Sequence, residues 1–103
     1  MKTVKVNGID FNIRKITGKE YDNLMTEKFV FASNGSFKIN HEIINPIYLS
    51  LVKSSSDESF NKIISVSQKM DYFEKDFGLR KKLINEIKKY VDELSSESDV
   101  EKN

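Results

Sequence analysis

The sequence contains no cysteine, which excludes disulfide bonds and thiolate metal sites. It has a single histidine, His41. A Ser- or Cys-based nucleophile usually needs a histidine beside it, and no serine here sits in a Gly-x-Ser-x-Gly elbow. No stretch approaches the ~20 apolar residues that a membrane-spanning helix requires. The first eight residues alternate apolar and polar and lack the apolar run of a secretory signal, so the default compartment is the cytoplasm. The formal net charge is only +1, which gives no general electrostatic case for a nucleic-acid partner.

What is present suits one folded domain. The chain has 103 residues, 38% hydrophobic and 32% charged, with 11% aromatic and a mean hydropathy of −0.51. A chain of this length buries about two-thirds of its unfolded surface, enough for a single core. We expect one globular domain over 1–95 and a disordered acidic tail over 96–103. The charge is unevenly placed: from Asp92 onward five acids stand against Lys102, a net of −4, which leaves +5 on the remainder.

Val4-Lys5-Val6 and Ile9-Asp10-Phe11-Asn12-Ile13 flank Asn7-Gly8, a pair that tolerates the positive φ angles of a type I′ turn. A hairpin in that register sets Val6 opposite Ile9 and Val4 opposite Phe11 on one face. Lys5 then meets Asp10 and Thr3 meets Asn12 on the other. Thr17-Gly18-Lys19-Glu20 has the spacing of a capping box and predicts a helix with Tyr21, Leu24, Met25 and Phe29 on one stripe. Phe29-Val30-Phe31 reads either as its last turn or as a short extended piece. Ser33-Asn34-Gly35-Ser36 reads as a turn, and without a secretory signal its glycosylation triplet carries no weight. Phe37-Lys38-Ile39 could be extended.

Asn40 is a candidate N-cap for a helix over about 41–53, bent or broken at Pro46, where Asn45 could cap a second segment. Residues 54–58 read as a loop ending in an N-cap. Phe60, Ile63, Ile64 and Met70 then follow at helical spacing, with Gly78 separating that helix from a last one over about 79–95. The last helix carries Leu83, Ile84, Ile87, Val91 and Leu94 on one stripe. It also holds Lys82/Glu86, Lys88/Asp92 and Lys89/Glu93 at the four-residue spacing of surface ion pairs. The expected fold class is therefore α+β: an N-terminal β-hairpin followed by four or five short helices, mainly helical.

Several local patterns resemble chemistry without carrying it. Gly18-Lys19 lacks the rest of a phosphate loop. Asp76-Phe77-Gly78 spells a kinase tripeptide in a chain far too short for a kinase. Asp71 and Glu74 read as solvated helix acids, and no acidic cluster has calcium or zinc spacing. Arg80-Lys81-Lys82 with Lys88-Lys89 forms a basic strip interrupted by Glu86 and followed by Asp92 and Glu93, which disfavours a phosphate track. We therefore expect no catalytic residues, no cofactor and no metal. The surplus of aromatics at Phe29, Phe31 and Phe37 packs a core or makes a partner-binding patch.

Residues 4–25, from Val4-Lys5-Val6-Asn7-Gly8 through Arg14-Lys15-Ile16-Thr17-Gly18-Lys19-Glu20-Tyr21, resemble the opening of tail assembly chaperones of long-tailed bacteriophages. The overall layout of a hairpin, several short helices and an acidic tail is similar too. The Lys-, Ile- and Asn-rich composition suits an AT-rich genome. The resemblance implies a non-enzymatic role in the host cytoplasm. Such proteins bind the tape measure protein, help tail tube subunits polymerise around it, often self-associate, and often have a longer frameshifted form. On this reading the candidate protein-binding surfaces are Phe29, Phe31 and Phe37, and Leu83, Ile87, Tyr90, Val91 and Leu94 on the last helix. The alternative is a small phage-encoded inhibitor of a host defence system that also acts by binding protein.

Overall fold

In the computed structural model the backbone is described for all residues except 28, 32–34, 36 and 103. Side chains are described except for 27–34, 36–37 and 96–103. Strands β1 (Lys2–Val6) and β2 (Ile9–Ile13) form the expected hairpin. Its register sets Val4 against Phe11 and Lys5 against Asp10. Asn7 and Gly8 adopt φ of 52° and 80°, the positive values a two-residue I′ turn needs. The polar face is paired as expected, with Lys5 3.9 Å from Asp10 and the Thr3 hydroxyl donating to Asn12 at 2.6 Å.

Helix α1 (Gly18–Glu27) starts at the capping box. The Glu20 N–H donates to Thr17 Oγ1 at 3.2 Å, and the Thr17 N–H donates to Glu20 Oε1 at 3.0 Å. Its stripe is shorter than expected. Leu24 is fully buried and Tyr21 packs on the core, but Met25 is exposed. Phe29 belongs to a strand instead. Strands β3 (Phe29–Phe31) and β4 (Phe37–Ile39) pair antiparallel as a separate two-stranded ribbon, with Phe29 opposite Ile39 and Phe31 opposite Phe37. The expected turn at Ser33, Asn34 and Ser36 lies outside the described residues.

Helix α2 (His41–Ser50) runs unbroken through Pro46 and stops three residues before the expected boundary of 53. Burial of Ile44, Tyr48 and Leu49 on its inner face offsets the backbone hydrogen bond that the proline cannot donate. Asn40 precedes the helix without a side-chain cap, although its carbonyl accepts from Ile43 and Ile44. The chain then turns into β5 (Val52–Ser55), where the end of the helix and the start of a loop were expected. Strand β5 pairs antiparallel with β2, giving a three-stranded sheet in the order β1-β2-β5 with a register shift between Asn12 and Ile13. Polar contacts hold it there: Asn12 Nδ2 donates to Ser54 Oγ at 2.8 Å, and Ser55 Oγ donates to the Asp10 carbonyl at 2.8 Å. On the outer side of β5, the Asn61 amide both accepts from the Ser55 N–H and donates to the Ser55 carbonyl at 2.9 Å. That side chain occupies the position of a further strand on the sheet edge.

The expected single helix after residue 57 is two. Helix α3 (Glu58–Asn61) is capped by Asp57, and α4 (Val66–Glu74) by Ser65, whose Oγ accepts from the Gln68 N–H at 3.2 Å. Ile64, expected on a buried stripe, sits in the connecting turn and is 91% exposed. Helix α5 (Phe77–Lys102) begins two residues earlier than expected, so Gly78 lies inside it. It continues past 95 through the stretch expected to be a disordered tail. The four-residue ion pairs do not form among the described contacts. Glu86 meets Lys89 at 3.4 Å, Glu93 meets Lys2 at 3.6 Å, and Lys82 donates to Asn7.

The fold class is α+β and mainly helical, as expected from the sequence. Its core fills the space between the apolar face of the sheet and helices α2, α4 and α5, with Val4, Phe11, Ile13, Leu49, Phe73 and Leu83 among the buried side chains. Phe11 contacts Phe60 edge-on and Phe73 at a tilt, each with ring centroids 5.9 Å apart. No described helix is long and apolar enough to cross a membrane.

Candidate protein-binding cleft

Asp76 fixes where α5 begins. Its Oδ1 accepts from the Leu79 N–H at 3.0 Å, and its carbonyl accepts from the Arg80 N–H at 3.1 Å. An N-cap in that position places Phe77 in the first turn and gives α5 two stripes. Leu79, Leu83, Ile87, Tyr90 and Val91 form one, and all are buried in the core. Phe77, Arg80, Lys81 and Ile84 form the other at the i, i+3, i+4, i+7 spacing of one helix face. That second stripe meets His41 and Asn45, four residues apart at the start of α2. Together with Asn85 these residues line a cleft of about 420 Å³.

The lining of the cleft is mainly apolar, and its charged members, Arg80 and Lys81, are positive. Phe77 is 64% exposed and is the only exposed aromatic side chain among the described residues. The Arg80 guanidinium lies 5.1 Å from its ring centroid, within cation–π range. Glu74 holds Arg80 there through a 2.6 Å charge-assisted hydrogen bond. Lys81 has no carboxylate within ion-pair distance among the described residues, and no Asp or Glu is among the residues lining the cleft. A second depression of similar size, along α5, is lined by Lys82, Asn85, Glu86, Lys88, Lys89 and Asp92. Its charged side chains are of both signs, as expected of a solvated helix surface.

Of the residues singled out from the sequence, those with described side chains lie elsewhere. Leu83, Ile87, Tyr90 and Val91 are buried, and Leu94 packs against the core. This corrects their reading as a partner surface: the helical period that marks a docking face equally marks a core stripe. The side chains of Phe29, Phe31 and Phe37 lie outside the described residues. A helix expected to start at Leu79 leaves Phe77 outside it, whereas α5 starts at Phe77. Its signal was Asp76, a good N-cap three residues before the first core leucine.

The perturbed ionisable groups belong to the scaffold. Arg14 makes a bidentate pair with Glu20 at 2.8 Å on both arms. Those hydrogen bonds, with a smaller opposing effect of burial and further support from Thr17, hold the Glu20 carboxyl down at about 2 and raise the Arg14 guanidinium. Tyr72 donates to Asp57 at 2.5 Å. Burial first, then that bond, pushes its hydroxyl up to about 12, and the same bond lowers Asp57. Burial lowers the Lys69 ammonium, which donates to the Val52 carbonyl at 2.7 Å and lies over the Phe60 ring. Burial also raises Tyr48. No group of three His, Cys, Asp or Glu is placed to hold a metal among the described residues.

No family model, curated protein or solved structure matches the chain.

Proposed function

We propose that this chain acts by binding protein rather than by catalysis. Specifically, it is a tail assembly chaperone of a long-tailed bacteriophage, working in the host cytoplasm on the tape measure protein and the tail tube subunits. The carrying observation is the α2–α5 cleft, where an exposed Phe77 lies beside Arg80. Aromatics and arginines are enriched among the residues that dominate the energetics of protein interfaces, and the ring of Phe77 is largely exposed in the monomer. The resemblance of residues 4–25 supplies the identity of the partner. Chaperoning a long helical protein calls for apolar surface presented in many copies, which fits self-association.

The test begins with the DNA downstream of the gene. A slippery site with an overlapping frame, followed by a long frame coding for a helical protein, is the expected arrangement. Co-expression of that protein with the tagged chain should then keep it in the soluble fraction and co-purify it. Neighbouring genes unrelated to tails, together with no retention of any neighbouring tail product, would sink the reading.

A further inference from the structure

Resting on the protein-binding reading, the geometry points to a more specific partner. We infer that the α2–α5 cleft docks a partner segment that pairs an apolar side chain with carboxylates. The apolar side chain would cover Phe77 and Ile84, and a carboxylate would meet Lys81. Charge complementarity decides for this occupant. The chain carries 16 acidic residues, and none of those whose side chains are described lines this cleft. Asp76 is turned inward to the Leu79 N–H, and Glu74 is engaged by Arg80. The strongly acidic stretch begins at Asp92, about three turns further along α5. Among the described residues, Lys81 thus has no counter-charge and lies beside an aromatic face already under Arg80. A basic or purely apolar segment would leave Lys81 partly desolvated without compensation, whereas an acidic one pairs it.

Nucleic acid also carries negative charge, but the cleft is short and mainly apolar in its lining. The remaining cations of the basic strip, Lys82, Lys88 and Lys89, line a different surface interspersed with Glu86 and Asp92. The cleft therefore lacks the continuous cationic track that a phosphate backbone follows.

Two synthetic amphipathic helical peptides test this, identical in apolar stripe but flanked by Glu in one and by Lys in the other. Fluorescence anisotropy with the intact chain should show the Glu peptide binding at least about tenfold more tightly. Backbone NMR shifts should change at Phe77, Lys81 and Ile84. F77S and K81E should each weaken that binding about tenfold, the scale of one interfacial hot spot, with both variants still folded by circular dichroism because both side chains are largely exposed. Equal binding of the two peptides, shifts confined to another surface, unaffected binding by F77S, or tighter binding of oligo-dT would overturn the proposal. Co-expression separates it from the broader reading. If F77S/K81E retains the tape measure protein as well as the parent does, the cleft proposal fails while the chaperone reading stands. If the parent retains none but binds the Glu peptide through Phe77, the chaperone reading fails and the cleft proposal stands.

Discussion

At Glu20 three interactions converge on one carboxylate: both arms of Arg14, the Thr17 N–H, and the first turn of α1 that the capping box starts. Each favours the charged form, so the folded-state pKa of about 2 lies below the ordinary 4.5. A depressed carboxyl contributes stability that is fully present above its unfolded pKa. That stability is lost as pH falls from about 4.5 to about 2. The pair is partly exposed, so screening limits its contribution to about 1 kcal/mol. E20Q should therefore melt lower than the parent at neutral pH by about that amount. The gap should close as the pH approaches 2. Thermal melts of both proteins across that window check it, and a gap independent of pH would show that Glu20 acts through packing alone. Lys69 is similarly local: its ammonium satisfies the Val52 carbonyl at the start of β5 and has no place in the cleft.

Among the elements, α2 is the one that defies its sequence. Pro46 sits in its interior, where a ring can neither donate to the carbonyl four residues back nor avoid crowding it. P46A should stabilise the protein by about 1–3 kcal/mol, raising the melting temperature by several degrees. Differential scanning calorimetry reads this directly, and a fall in melting temperature would mean that the proline ring packs better than a helical alanine. The elements legible in the sequence were those specified locally. The β1–β2 register follows from Asn7-Gly8 and alternation, and α1 from Thr17 and Glu20. Strand β5 was not legible, because Lys53-Ser54-Ser55 has no strand propensity of its own and becomes a strand only by pairing with β2 and being held by Asn61. The break between α3 and α4 was partly legible: Ser65-Val66-Ser67-Gln68 has the same spacing as the Thr17–Glu20 box, but apolar periodicity ran across it. The cleft was illegible as a cleft, since it depends on α2 and α5 meeting, although Asp76 marked the turn that displays Phe77.

Across the whole molecule, one aromatic cluster joins the sheet to the short helices. Phe11 from β2, Phe60 from α3 and Phe73 from α4 are mutually in contact, and Tyr72 adds an edge-on contact to both Phe60 and Phe73. Helices as short as α3 have no independent stability, so these rings fix their position. F11A should cost about 3–5 kcal/mol, a large share of the 5–15 kcal/mol typical of a domain. Urea denaturation should show the loss as a lower midpoint. A change below about 1 kcal/mol would mean that the sheet and helices are held by other contacts. The second stripe of α5 contributes nothing comparable to this interior. Phe77 and Lys81 share a backbone with Leu79 and Leu83 but almost none of their packing. Selection can therefore act on the two faces of that helix separately: substitutions at 77 and 81 can accumulate while the fold persists beneath them, and on the docking proposal they would shift partner preference without touching the core.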